Sequence, residues 1–229
     1  MGCWMPSEAQ SVKAISFGVG FATGLYGISF GALSVAAGLD FWQTMALSLL
    51  MFSGGSQFAF VGVFATGAGV VPAVLSAWLL GVRNGFYAIR LAPVMSLSGI
   101  LKPVGAQLTI DESNAVSLSQ EPDIAKQRQG FWLTGIAVFI FWNLLTAVGA
   151  LLGSAIGNPA DWGLDAAAGA AFLGLIWPRL KESKLLLLAV VSAFTATYLS
   201  SFVPAGIPVL LTAGVAVIFW IIELLGKSK

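Results

Sequence analysis

Polar and small residues interrupt the second hydrophobic run of this chain, at Ser53, Gly54, Gly55, Ser56, Gln57 and Phe58. Such residues in succession are poor helix formers, and backbone opened at membrane depth must be buried in protein or line a cavity. A broken helix offers free N–H groups to a carboxylate and freed carbonyls to an ammonium group. An amino acid carries both groups, so the segment predicts a substrate site. The alternative is a helix-packing patch in which Gln57 binds a neighbour.

Two arginines interrupt the next apolar stretch. Arg83 and Arg90 are seven residues apart, so on one helix they share a face about 10 Å apart along the axis. Burying a guanidinium costs at least about 2.5 kcal/mol on insertion scales and demands a partner. Arg83 and Arg90 are both candidates to supply counter-charge to a substrate. The alternative for Arg83 is that it reaches interfacial water at a turn, and Arg90 is the better candidate for a substrate anchor or a buried ion pair. Asn84 and Tyr87 add polar groups near both and are further candidates for substrate binding.

Three acidic residues are candidates for coupling or gating. Asp111 and Glu112 adjoin in a polar stretch, where the alternative is two solvated acids of a loop. Asp165 opens a predicted helix, as Asp40 does earlier, and a carboxylate there caps the helix and stabilises its dipole. The chain has no histidine, so proton coupling must use carboxylates, and its single cysteine, Cys3, excludes disulfide frameworks and cysteine-based metal sites.

Composition places these residues in a membrane. The chain has 229 residues, of which 58% are hydrophobic and 9% charged, far from soluble usage of roughly a quarter charged residues. Residues 14–39 and 131–157 carry no charge, and each is longer than the roughly 20 residues that a membrane span requires. The net charge of +1 includes no basic tract, so no nucleic-acid partner is expected. Phosphate-binding loops and dinucleotide fingerprints are absent from the sequence, so we expect neither an enzyme nor a cofactor.

Hydrophobic runs predict an all-α integral membrane protein of seven or eight helices, some short or broken. The runs cover residues 14–38, 43–66, 70–82, 86–101, 131–154, 164–178, 185–203 and 206–225. They form one membrane domain with an N-terminal half (14–101), a polar linker (102–130) and a C-terminal half (131–225).

The distribution of Lys and Arg predicts the topology of that domain. Basic residues cluster before the first run, in the linker, at residues 179–184 and at the C-terminus. The positive-inside rule therefore places both termini and the linker in the cytoplasm of a bacterial inner membrane. Each half then crosses the membrane an even number of times, and we expect the chain to turn at Arg83-Asn84-Gly85, which favours eight crossings.

Glycines spaced four apart indicate close helix packing. They are Gly20, Gly24, Gly27 and Gly31 in the first run and Gly149, Gly153 and Gly157 in the fifth. Small residues at this spacing let helix backbones approach in lipid, so we expect these two runs to be central packing elements. The later Gly-Leu-Asp triplets at 38–40 and 163–165 fit either a same-orientation repeat of the halves or chance similarity.

An ordered set of motifs resembles a known family. It comprises Gly27–Ala32, Ser53–Phe58, Arg83-Asn84 with Leu91-Ala92-Pro93, Asp111-Glu112-Ser113 and Trp162–Asp165. Together these motifs resemble the AzlC-type (YgaZ-type) branched-chain amino acid permeases from about Ile15 to Leu225. The resemblance implies export of leucine, isoleucine and valine, often with methionine, across the bacterial plasma membrane, with a small hydrophobic AzlD-type partner subunit.

The resemblance is uneven beside Arg83. The family's usual Asn-Leu-Arg-His reads Gly81-Val82-Arg83-Asn84 here, so the arginine is retained while two polar neighbours differ. The leading hypothesis is a secondary exporter of apolar amino acids, with Phe58, Phe60 and Trp142 shaping the side-chain pocket. Two other hypotheses are a noncatalytic membrane subunit of another transporter and a passive channel, for which a continuous polar stripe along several spans is expected.

Overall fold

The computed structural model describes residues 11–156, 179–203 and 207–227, together with Leu173 and Trp177. Regular structure in these residues is helical, which confirms the all-α prediction. The helices are α1 (Val12–Ala36), α2 (Phe41–Leu50), α3 (Gly55–Ala65), α4 (Val70–Met95), α5 (Leu101–Gln107), α6 (Asp111–Leu118), α7 (Ile124–Ile156), α8 (Ser183–Leu199) and α9 (Ile207–Lys227), with a 3-10 turn at Arg179–Lys181.

The outer surface of the bundle is apolar. Large hydrophobic side chains are mostly exposed along several helices, among them Phe17, Trp42, Trp78, Phe86 and Phe194. Apolar surface on this scale is unfavourable in water but matches lipid tails. Of the described helices, α1 and α7 are both long and apolar enough to cross a bilayer. The fold is that of a helical membrane protein.

Helices α1 and α7 form the centre of the bundle, as the glycine spacing predicts. Gly20 lies against Ala137, Gly24 against Phe141 and Gly31 against the backbone of Thr146. From one pair to the next the residue number rises in both helices, so α1 and α7 run parallel. A Cβ added at any of these glycines would collide with α7, so the close approach of the two backbones depends on glycine.

Helices α2 and α3 form a hairpin instead of one span over residues 43–66. Asp40 begins α2 with a capping box to Gln43, which confirms its predicted capping role. The chain leaves the helix at Met51 and starts α3 after Gly54, whose φ of 54° lies in the region that favours glycine. The Gln57 side chain then donates to the carbonyl of Leu47 at 3.0 Å. A straight continuation would place those residues about 15 Å apart, so α3 must fold back beside α2.

Helix α4 corrects the predicted turn at Arg83. It is continuous over 26 residues, about 39 Å, and Arg83 lies near its middle. A turn there was predicted because two arginines divide the apolar run, but both side chains find acidic partners, so the helix need not end. Residues 70–95 therefore form one helix, and not two short crossings with a turn at Arg83.

Helices α5 and α6 form a second hairpin, within the segment predicted to be a linker. Leu108, at the turn, lies beside Gly135 of α7, whereas Val116 lies beside Gly130, nearer the start of α7. The hairpin therefore enters from the side on which α7 begins and turns back part-way along it. We call this the basic side, because it holds Lys13, Lys102, Lys126 and Arg128.

The two hairpins enter the bundle from opposite sides. Arg128 donates to the Val94 carbonyl at 2.7 Å, so α4 ends where α7 begins, on the basic side. Helices α2 and α3 therefore enter from the other side, where α1 ends and α4 begins. Residues 41–95 and 101–156 each form a hairpin followed by a long helix, and the two units have opposite orientations. This inverted arrangement differs from the same-orientation repeat of halves, whose C-terminal motif at Gly163-Leu164-Asp165 lies outside the described residues.

The described C-terminal helices pack together. Helix α8 contacts α9, and the Lys184 ammonium lies 3.0 Å from a carboxylate oxygen of Glu223. Asp123 precedes α7 in an exposed turn, where the backbone N–H of Lys126 donates to its carboxylate and lowers its pKa. Asp165 and Gly157 lie outside the residues that the structure describes.

Candidate functional site

The tips of the two hairpins meet in the middle of the bundle. The Gln107 side chain, at the end of α5, donates to the carbonyl of Leu49 at 2.8 Å, near the end of α2. Helix α2 has 10 residues and so is about 15 Å long, roughly half the hydrocarbon thickness of a bilayer. The last carbonyls of α2 and the first amides of α3 therefore lie at mid-depth, as expected for a helix broken at Ser53–Gln57.

The two tips also share one pattern of hydrogen bonds. In the first, the Gly54 N–H donates to Gln57 Oε1 at 3.2 Å, and Gln57 Nε2 bonds back to the end of α2. In the second, the Ile110 N–H donates to Ser113 Oγ at 3.1 Å, and that hydroxyl donates to the Leu108 carbonyl at 2.6 Å. In each hairpin, the third residue of the second helix, Gln57 in α3 or Ser113 in α6, thus binds the end of the first helix. Gln57 has the neighbour-binding role that the sequence left as an alternative.

Arg83 connects the two tips electrostatically. Its Nη2 atom lies 2.7 Å from Asp111 Oδ2 at the start of α6, and the Tyr87 hydroxyl donates to the other carboxylate oxygen at 2.7 Å. On its other side the guanidinium lies against the first turn of α3, where a Cβ on Gly55 would come within 2.7 Å of it. The Nε–H of Arg83 is buried and has no hydrogen-bond partner in the described part of the chain. The site therefore keeps an unsatisfied donor beside a helix N-terminus.

Asn84 and two serines make the polar wall of a cleft. Asn84 Nδ2 donates to Ser53 Oγ at 3.2 Å, and Ser53 Oγ lies 3.1 Å from Ser56 Oγ. The buried Oδ1 of Asn84 accepts no hydrogen bond from the residues that the structure describes. These side chains line a cavity of about 690 Å³, within the usual range for small-molecule sites.

The rest of the cleft is apolar. Its walls come mainly from α2, α3 and α4 and include Leu47, Met51, Phe52, Phe60 and Trp78. An aromatic cluster stands on the α1 and α7 side of the hairpin, where the Phe58 ring lies 6.2 Å from Trp142 and 5.8 Å from Phe30. The Trp142 ring also contacts Gly54. Of the three predicted pocket aromatics, Phe60 lines the cleft, while Phe58 and Trp142 support its tip from behind.

The structure separates Arg90 from the other candidates. Its side chain is 61% exposed and pairs with Glu121 at 3.3 Å on the basic side, about two helical turns from Arg83. The more buried ion pair belongs to Arg83, which is the reverse of the expectation from sequence. Ser53, Gly54, Gly55, Ser56, Gln57, Asn84 and Tyr87 lie together with Arg83 around the first tip and the middle of α4.

Asp111 and Glu112 are also placed differently from the solvated loop that the polar segment suggested. They form the first turn of α6 at the second tip, and Glu112 faces the Thr23 side chain in the middle of α1. Sequence reasoning missed Gln107, which joins the tips. The signal that could have found it is an amide five residues before Glu112. The surrounding segment is too polar for a membrane span, and its first half is too apolar for a free loop.

Among the described residues, no group of three or more acidic, His or Cys side chains is placed to hold a metal ion. Hairpins that enter from opposite sides, an apolar exterior and a polar cleft at mid-depth define a polytopic helical membrane protein of the transport-related class.

Within that class, the chain belongs to the AzlC family. The family described as "AzlC protein" matches residues 18–156, more than half of the chain, from within α1 to the end of α7. A curated relative, an "Uncharacterized membrane protein" of Helicobacter pylori (strain ATCC 700392 / 26695), is 24% identical over 131 residues, 57% of this chain and 58% of the relative. The match thus covers under two thirds of that relative. No solved structure matches the chain.

Proposed function

We propose that this protein is a secondary transporter that exports branched-chain and other apolar amino acids, such as methionine, across the bacterial inner membrane. The observation that carries the proposal is the pair of unsatisfied polar atoms at mid-depth. Arg83 has a buried N–H without a described partner, which suits a carboxylate, and Asn84, which lines the cleft, has a buried carbonyl oxygen without one, which suits an ammonium group. The apolar remainder of the cleft suits an aliphatic side chain.

The charges of the site predict the orientation of the bound amino acid. A substrate carboxylate is stabilised by the guanidinium and by the first amides of α3, where Gly54 supplies no side-chain cap. The ammonium group then lies toward Asn84 and Ser53. The choice among leucine, isoleucine, valine and methionine rests on family resemblance, since the cleft has room for each.

The distribution of basic residues supports a cytoplasmic basic side. Lys13, Lys102, Lys126 and Arg128 all lie there, whereas Asp40 begins α2 on the other side. By the positive-inside rule the α5–α6 hairpin enters from the cytoplasm and the α2–α3 hairpin from outside. A small hydrophobic AzlD-type subunit is proposed as a partner on the same family resemblance.

Labelled leucine provides the test. Lipid vesicles that hold the protein, with or without the small subunit, are loaded with leucine, and efflux is compared with that from empty vesicles. Saturable efflux driven by a gradient supports a carrier. Efflux equal to that of protein-free vesicles in both cases contradicts the substrate assignment, and non-saturable flux supports a channel instead. Activity of the chain alone counts against a purely accessory subunit.

A further inference from the structure

The acidic residues of the described chain fall into two groups. Most lie at helix ends, where a cap or a cation satisfies them: Asp40 caps α2, Glu121 pairs with Arg90, Asp123 with Lys126 and Glu223 with Lys184, and Glu182 is exposed before α8. Asp111 and Glu112 are the remaining two, and both lie at the tip of the α5–α6 hairpin in the middle of the bundle. Only these two are placed where a carboxylate is costly.

One guanidinium serves both tip carboxyl groups. Arg83 is paired with Asp111, which also accepts from Tyr87. Glu112 points to the other side of the hairpin, toward the uncharged Thr23 of α1. Helix α7, which also packs against α6, has its described charges, Lys126 and Arg128, in its first two turns, occupied by Asp123 and the Val94 carbonyl. Among the described residues, the cation near Glu112 is Arg83, which is already paired with Asp111.

Burying an unpaired carboxylate is far more costly than burying a neutral carboxyl group that keeps a hydrogen-bond partner. When Glu112 carries a proton, the net charge of the tip is zero, because the Arg83 cation and the Asp111 anion cancel. The hydroxyl of Thr23 can accept from the neutral acid or donate to the ionised one. An opening of the hairpin away from α1 would let water reach Glu112 and stabilise the ionised form. Opening of the hairpin and release of the proton are thus linked.

We propose that Glu112 is the proton-binding residue of this protein, and that its protonation and release couple amino acid export to the proton gradient. The coupling rests on the proposed transport function, whereas proton binding does not. A proton bound while the hairpin is closed against α1 is released toward the basic side when the hairpin opens there. Proton entry and amino acid exit then alternate at the same tip.

Infrared spectroscopy tests the proton site without any substrate. Purified protein in lipid is titrated, and the carbonyl band of protonated carboxyl groups is recorded for wild type, Glu112→Gln and Glu121→Gln. We expect a band at neutral pH that is lost in Glu112→Gln and kept in Glu121→Gln, whose carboxylate is exposed and paired. An unchanged band in Glu112→Gln overturns the proposal. Glu112→Asp, which keeps a titrating group, guards against loss of the band through misfolding and should retain it.

Vesicle transport then tests the coupling. Glu112→Gln should lose leucine movement driven by a pH gradient while keeping exchange of internal for external leucine, because exchange needs no net proton release. Retained pH-driven movement overturns the coupling. If wild type moves no leucine although the infrared band behaves as expected, the proposed substrate fails and the proton site stands.

Discussion

Arg83 and Asp111 bring together a continuous helix and the tip of a re-entrant hairpin, with 2.7 Å between the guanidinium nitrogen and the carboxylate oxygen. The two residues belong to units of opposite orientation, so their contact holds the inverted units in register. It also places a cation where the first turn of α3 opens. One interaction therefore both joins the hairpin to α4 and contributes to the proposed substrate site.

Removing the guanidinium should affect both roles. Arg83→Ala leaves Asp111 without its cation, and loss of a hydrogen bond to a charged group costs about 1.5–3 kcal/mol, which corresponds to roughly 10- to 100-fold in an equilibrium constant. We expect leucine efflux to fall by at least about tenfold and the melting temperature in detergent to drop. Arg90→Ala is the comparison, because its pair with Glu121 is exposed and worth less than about 1 kcal/mol. Equal loss in both variants would contradict the assignment of Arg83.

Asn84→Ala tests the ammonium subsite. The change removes a buried acceptor that has no partner among the described residues, together with the hydrogen bond from Nδ2 to Ser53 Oγ. We therefore expect a loss of stability of about 0.5–1.5 kcal/mol for that bond. The KM for leucine should rise by roughly tenfold, the equivalent of about 1.4 kcal/mol. Ser76→Ala is the matched control on the same helix, since its buried hydroxyl also lacks a described partner. The measurement is efflux at increasing leucine loads. A KM unchanged in Asn84→Ala would remove this residue from the site.

Gln57 should matter for the shape of the first hairpin. Gln57→Leu keeps the volume but leaves the Gly54 N–H and the last carbonyls of α2 without their partner, at a cost of about 1–3 kcal/mol. Thermal unfolding of the purified protein measures this loss. Gln129→Leu, at an exposed position of α7, is the control and should leave the melting temperature nearly unchanged. If both variants melt like wild type, the hairpin is held by other contacts.

Alanine substitutions at two glycines should change the melting temperature in opposite directions. A Cβ on Gly149 meets the Ile28 carbonyl, so Gly149→Ala must push α1 and α7 apart and lower the melting temperature. Gly18 of α1 has open space around it, and Gly18→Ala should stabilise the helix by up to about 1 kcal/mol. Stabilisation by both substitutions would show that the helices do not pack through backbone contact.

Much of this architecture follows from the sequence. The glycine spacing predicted the α1 and α7 contact, Asp40 predicted a helix cap, and the small residues of Ser53–Gln57 predicted a helix break. Each of these signals is local, since one helix face or one turn determines it. The roles of the site residues in transport remain predictions.

The errors came from contacts between distant parts of the chain. Hydropathy alone treats residues 43–66 as one span, because a hairpin of two apolar half-helices has the same composition. It also treats Asp111 and Glu112 as solvated, because their partners Arg83 and Thr23 belong to other helices. The sequence also predicted a turn at Arg83, because its partner Asp111 belongs to another helix. Only the three-dimensional pairing showed that the polar segment returns to the bundle.

The meeting of two short tips has an electrical consequence. At Gln107 and Leu49 the two hairpins meet end to end, so half-helices and not one continuous helix lie between the two faces of the membrane, and the layer where they touch is thin. If water follows each hairpin inward, most of the membrane voltage falls across that thin layer. A single charge that passes it exchanges about 2.3 kcal/mol per 100 mV over a short path. Small movements of the tips could then do electrical work that would otherwise require a displacement across the whole bilayer.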